Sequence, residues 1–126
     1  MIVGLGIDQI EIARIKRAWK RHGERLARRV YTPDEWHYCL SRPDPVSSLA
    51  ARFAAKEAAM KALGRGWPGG ISYTDIEVTR ESSGRPGLQF RNAAARRAEA
   101  IGCHRAVVSL SHDQTFASAT VVLESA

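Results

Sequence analysis

Cysteine is scarce in this chain of 126 residues: only Cys39 and Cys103 occur, at no metal-type spacing. That argues against a disulfide framework or a zinc ribbon and leaves two reduced thiols as the expectation. Aromatic residues make up 7% of the chain, and no aromatic RNA-recognition pattern or recognition-helix motif accompanies the basic segments. Apolar runs fall far short of the ~18 residues needed to span a bilayer. The opening MIVGLGID carries no basic leader, so a cytoplasmic protein with no membrane partner is expected. A Walker A loop, a GxGxxG before a helix and a GxSxG elbow are all missing, which removes the motifs of three common enzyme classes. His112 has no second histidine at ligand spacing, so zinc is not expected.

What the chain does have is positive charge. Nineteen Lys and Arg against 13 Asp and Glu give a formal +6 and a pI near 9.9. An anionic partner follows, but nucleic acid, a phosphorylated small molecule and an acidic protein all satisfy that statement. A hydrophobic content of 44% with 25% charged residues is ordinary for one globular domain.

The residue patterns predict an α+β chain. Ile2–Ile7 reads as a buried strand ending at Asp8, and Ile12, Ile15 and Trp19 then share one helical face surrounded by Arg14, Lys16, Arg17, Lys20 and Arg21. A second basic segment runs from Arg25 to Arg29. Thr32-Pro33-Asp34-Glu35 is a capping box with proline at the first helical position. Asp44–Ser48 supplies capping residues for a further helix, RFAAKEAAMKALGRG closes on glycines, and a glycine-rich loop follows to Gly70. Ile76–Thr79 and Leu88–Phe90 read as a hairpin across a Ser-Gly-Arg-Pro-Gly turn. Asn92 is expected to cap a helix running to Ile101, and two final strands pair across His112–Thr115.

The charges of RFAAKEAAMKALGRG raise the chemical question. At about 100° per residue, Leu49, Phe53, Met60 and Leu63 form a stripe with Lys56 in its middle, Glu57 at its edge, and Arg52 and Lys61 flanking. One reading is lysine stems covering apolar surface with wet heads. Asp8 is either an N-cap or a ligand. Taken with Glu57, it suggests an oxygen-only site, since Mg²⁺ is commonly held by one or two carboxylates with waters and phosphates. Periodicity does not show that Asp8 and Glu57 meet. His112 in a turn is either simply exposed or functional.

GLGIDQIEIARI at 4–15, RFAAKEAAMKALGRG at 52–66, DIEV at 75–78, GRP at 84–86 and VSLSHD at 108–113 together resemble the bacterial holo-acyl-carrier-protein synthases, the short single-domain 4′-phosphopantetheinyl transferases. The resemblance implies a single domain over 1–126, with an antiparallel sheet packed against a long central helix and shorter helices. It implies Mg²⁺-dependent transfer of phosphopantetheine from coenzyme A to a serine of apo-acyl carrier protein, releasing adenosine 3′,5′-bisphosphate, in support of fatty acid biosynthesis. By the family pattern Asp8 and Glu57 hold Mg²⁺, Glu57 orients a water or takes the serine proton, and Lys61 stabilises the bridging and leaving oxygens. Arg52, Lys56 and His112 contact coenzyme A phosphates, while Gly64, Gly66 and Pro86 shape the nucleotide pocket. Arg14, Arg21 and Arg25 or Arg28 dock the acidic carrier. The family also implies homotrimers with sites between subunits. Gln9 and Trp67-Pro68 depart from the family pattern and bear on local loop shape. The rival readings are a nucleic-acid-binding module and a non-catalytic coenzyme A binder; neither accounts for an acidic pair beside basic residues.

Overall fold

A computed structural model describes residues 1–64 and 70–126. Ile2–Glu11 forms strand β1, four residues longer than the apolar run Ile2–Ile7, because Asp8 to Glu11 stay paired with Ala119 to Phe116 of the last strand. Helix α1 therefore starts at Ile12 and ends at His22. Asp8 lies four residues upstream, so it is not the cap of this helix. Ile12 and Ile15 are buried as their spacing requires.

Glu24–Val30 is α2 and Pro33–Leu40 is α3. At the start of α3 the capping box is complete: Thr32 Oγ1 accepts from the Glu35 amide at 3.2 Å, and the Thr32 amide donates to Glu35 Oε1 at 2.8 Å. Pro45–Leu63 is α4, of 19 residues, capped by Asp44, which accepts from the Ser47 amide, and stopped by Gly64 in the left-handed region at φ 73°. Both signals are local and both act as the sequence predicts. The hydroxyl and amide of Ser47 hold the Asp44 carboxyl below its usual range.

After a 3₁₀ turn at Tyr73–Asp75 come β2, Ile76–Arg80, and β3, Pro86–Phe90, which form a two-stranded antiparallel sheet. Helix α5 spans Asn92–Ala100. Its cap position is Arg91 rather than Asn92; Asn92 Nδ2 instead donates to Asp75 Oδ1 at 3.2 Å. Strands β4, Arg105–His112, and β5, Phe116–Glu124, complete a three-stranded antiparallel sheet in the order β1-β5-β4.

The core lies between that sheet and α4. Seven alanines of α4 are buried (50, 51, 54, 55, 58, 59 and 62), so the helix is enclosed on most sides instead of presenting one stripe. Strand β1 crosses α4 at very close range. A Cβ on Gly6 would come within 1.9 Å of the Ala58 carbonyl oxygen, and one on Gly4 within 2.2 Å of that of Ala62. These two glycines serve backbone contact between strand and helix. The opposite face of the sheet has no cover among the described residues, and Leu5 and Ile7 are about two-thirds exposed. The opening apolar run is thus buried on one face only.

Both cysteines are free thiols. Burial pushes the Cys39 thiol up to about 11, consistent with an inert structural role. None of the described helices is long and apolar enough to cross a membrane.

Candidate active site

The close crossing of β1 over α4 sets Asp8 beside the helix turn that carries Glu57 and Lys61. Lys61 Nζ donates to the Ile7 carbonyl at 2.9 Å and to Asp8 Oδ1 at 3.1 Å. Glu57 lies one turn earlier on the same face of α4. Its Oε1 accepts from the Tyr73 hydroxyl at 2.6 Å. The Tyr73 phenol is raised well above its ordinary range, first by burial, then by the hydrogen bond and charge of Glu57, and then by the charge of Asp8. Asp8, Glu57, Lys61 and Tyr73 therefore form one cluster, assembled from a strand, a helix and a 3₁₀ turn.

Among the described residues no three His, Cys, Asp or Glu side chains gather into a metal cage. Two carboxylates nevertheless match in kind the oxygen donors that a hard divalent cation such as Mg²⁺ takes together with waters and phosphate oxygens.

Earlier along α4, Arg52 is buried to 3% exposure, with its guanidinium 4.6 Å from the Tyr38 ring centroid. Its Nη1 donates to the Ser48 carbonyl at 3.4 Å, but Nε and Nη2 have no hydrogen-bond partner among the described residues. Arg80 approaches the same ring at 5.0 Å. Both arginines line a cleft of about 230 Å³ with Asp34, Glu77 and Thr79. A buried planar cation with two unsatisfied donors is chemically suited to a phosphate oxygen.

Lys56 requires a correction. It is wholly buried, and its ammonium donates to Glu35 Oε1 at 2.8 Å, to the Tyr73 carbonyl at 3.0 Å and to the Ile76 carbonyl. All three of its protons are occupied, so it neither lies along the surface with a wet head nor reaches a coenzyme phosphate. Burial lowers its pKa, against the opposing pull of Glu35. Glu35 in turn accepts from the Val78 amide at 2.8 Å. Glu77, bonded by Thr32 and Arg91, continues the network. Burial alone would raise the Glu77 carboxyl, but those two donors hold it below its usual range.

The remaining expected residues are dispersed. His112 is exposed at the end of β4, near enough to Asp44 for its charge to lower that carboxyl. Asp44 caps the start of α4, whereas Lys61 lies in its last turn, about 25 Å along the helix at 1.5 Å per residue. Gly64 ends α4, where the Leu63 carbonyl accepts from Arg97 Nε at 2.8 Å. Pro86 opens β3 opposite Arg80. Gly66, with Trp67-Pro68, lies outside the described residues.

Arg14, Arg21 and Arg25 are exposed on α1 and α2. Arg25, Arg28 and Arg29 line one groove with His22 and Leu26, and Arg28 and Arg29 also line a second with Ser72, Tyr73 and Thr74. The basic ridge thus leads to the Tyr73–Glu57 pair. Tyr73 escapes a reading of charge and period because its ring belongs to a short turn; the Ser72–Asp75 capping signature was its only local signal.

The fold, with two carboxylates at a strand–helix seam, is that of a phosphopantetheinyl transferase: the profile of the 4′-phosphopantetheinyl transferase superfamily matches residues 4–120. The holo-[acyl-carrier-protein] synthase of Koribacter versatilis is 49% identical over 98% of this chain and 99% of its own. That of Moorella thermoacetica is 53% identical over 95% of this chain and 92% of its own. The crystal structure of the Neisseria meningitidis synthase superposes with a TM-score of 0.89 at 36% identity, covering 98% of this chain and 99% of that one. The Helicobacter pylori synthase, solved in complex with coenzyme A, gives 0.84 at 32% identity, covering 95% and 99%. The chain belongs to the holo-[acyl-carrier-protein] synthase family of this superfamily and is an enzyme.

Proposed function

We propose that this enzyme moves the 4′-phosphopantetheine arm of coenzyme A onto a serine of apo-acyl carrier protein in a Mg²⁺-dependent reaction that releases adenosine 3′,5′-bisphosphate and serves fatty acid biosynthesis. The observation that supports the reading is the placement of Asp8, bonded to Lys61, beside the turn of α4 that carries Glu57, with Tyr73 bonded to Glu57 and within reach of the charge of Asp8. When bound between those carboxylates, Mg²⁺ would neutralise the diphosphate of coenzyme A.

The chain's own residues supply the rest. The serine oxygen attacks the phosphorus that bears pantetheine, the bond from that phosphorus to the bridging oxygen breaks, and the nucleotide leaves with the electron pair. Glu57, or a water it orients, takes the serine proton. Lys61 faces the charge growing on the bridging oxygen, and the free donors of Arg52 bind a phosphate group of the nucleotide. His112, Pro86, Gly64 and Gly66 complete the nucleotide pocket.

Arg14, Arg21 and Arg25 dock the acidic carrier, chiefly by steering the encounter. The uncovered sheet face supports a homotrimer: Leu5, Val122 and Val107 lie side by side across β1, β5 and β4, and Ile7 and Phe116 extend the apolar surface. Sedimentation equilibrium is expected to give the mass of three chains; a monomer at micromolar concentration would remove the assembly from the reading.

The deciding experiment incubates the protein with coenzyme A, Mg²⁺ and apo-carrier and follows the carrier by mass spectrometry. A phosphopantetheine-sized mass gain is expected, and no gain with any divalent ion would refute the function. In the same assay Arg14→Glu with Arg21→Glu is expected to raise KM for the carrier about tenfold while kcat stays near wild type, with the difference shrinking as salt rises.

A further inference from the structure

Tyr73 is the one member of the cluster that neither charge pattern nor family motif singles out. Its hydroxyl donates to Glu57 Oε1 at 2.6 Å, and three separate restraints fix where that hydroxyl sits. The ring stacks on Phe53 with centroids 5.3 Å apart and planes 29° from parallel. Phe53 precedes Glu57 by one turn of α4, so ring support and carboxylate share a helix face. The Tyr73 carbonyl accepts from the buried ammonium of Lys56 at 3.0 Å. The turn itself is closed by Asp75, whose carboxylate accepts from the Ser72 amide at 3.0 Å and from Asn92 Nδ2 at 3.2 Å.

We propose that Tyr73 is a positioning residue for Glu57: by donating to Oε1 it fixes the carboxylate's rotation and leaves Oε2 as the oxygen offered to the divalent cation and the incoming hydroxyl. This rests on the reading of Glu57 as a metal ligand given above. A glutamate has three rotatable bonds, and ordering it costs side-chain entropy each time it engages a ligand. A phenol is a suitable orienting partner because it is neutral. A lysine or arginine there would cancel the negative charge that the cation needs, whereas the phenol orients the group and leaves its charge intact. Hydrogen-bond partners of this kind typically affect metal affinity or activity by about 10–100-fold.

Tyr73→Phe removes only the hydroxyl and keeps the ring on Phe53. Mn²⁺ binding, read from the free-ion EPR signal with and without coenzyme A, is expected to weaken about tenfold. The kcat should fall by a similar factor, with KM for coenzyme A within about twofold and the melting temperature unchanged. In the wild-type protein, adding Mn²⁺ should produce a tyrosine ultraviolet difference band that the variant lacks. Wild-type Mn²⁺ affinity in Tyr73→Phe, or no tyrosine band in the wild type, overturns the proposal, as does a kcat loss without any change in Mn²⁺ binding. Glu57→Gln separates the two layers of the argument. If it keeps Mn²⁺ binding and turnover, the metal reading itself fails; if it loses both while Tyr73→Phe keeps both, only the role of Tyr73 falls.

Discussion

Asp8→Asn and Glu57→Gln are each expected to lower kcat for carrier modification by about 10²–10³-fold while leaving the fold in place. The size of the loss follows from the donor set. With two carboxylates at the seam, either substitution removes half of the negative charge available to a cation, and the amide oxygen that takes its place is neutral. Stability should respond weakly. Lys61 is about half exposed and its pair with Asp8 is open to solvent, and such pairs contribute under about 1 kcal/mol. Glu57→Gln retains an oxygen able to accept from Tyr73. The measurement is initial-rate mass spectrometry of the carrier beside a urea titration of each variant. Full turnover by either variant at saturating Mg²⁺ would show that its carboxylate is not part of the chemistry, and a matching collapse in stability would show that the residue's role is structural.

The second large effect lies in the buried network. Glu35→Ala leaves the Lys56 ammonium wholly enclosed without its bonded counter-charge, and breaking such a pair from one side costs about 3–5 kcal/mol. Typical domains have ~5–15 kcal/mol in total, so this variant should melt far below wild type or fail to accumulate. Lys56→Met reverses the problem by stranding Glu35. Combining Lys56→Met with Glu35→Gln is expected to recover part of the loss, because a neutral amide needs no buried partner charge and can still accept from the Val78 amide. Urea unfolding at fixed protein concentration gives the comparison. A loss under about 1 kcal/mol in Glu35→Ala would mean that the lysine reaches water and is not confined as described.

That lysine also shows where sequence reading stops. Its position in the middle of the stripe was legible, because a helix repeats every 3.6 residues and angular placement needs only neighbours along the chain. What lies opposite was not. Glu35 comes from a helix 21 residues earlier and the two carbonyls from a segment 17 and 20 residues later, and nothing local announces their arrival. The same limit applies to strand β1. Its apolar run ends at Ile7, but pairing with β5 carries the extended backbone on to Glu11, so Asp8 became a side chain on a strand instead of a helix cap.

The amino-acid sequence on its own determined the features that act within a turn or two. These are the capping box at Thr32 and Glu35, the Asp44–Pro45 start and Gly64 stop of α4, the β2–β3 hairpin, and the motifs that mark the family. Each depends on hydrogen bonds or torsions among residues within a few positions of one another. Only the tertiary structure decided which charges of α4 are enclosed in the core, that Asp8 stands beside the Glu57–Lys61 turn, that Arg52 lines a cleft with two donors unpaired among the described residues, and that Tyr73 donates to Glu57. Those outcomes depend on which distant surfaces exclude water from a given side chain, and exclusion of water is a property of packed elements that no single segment possesses.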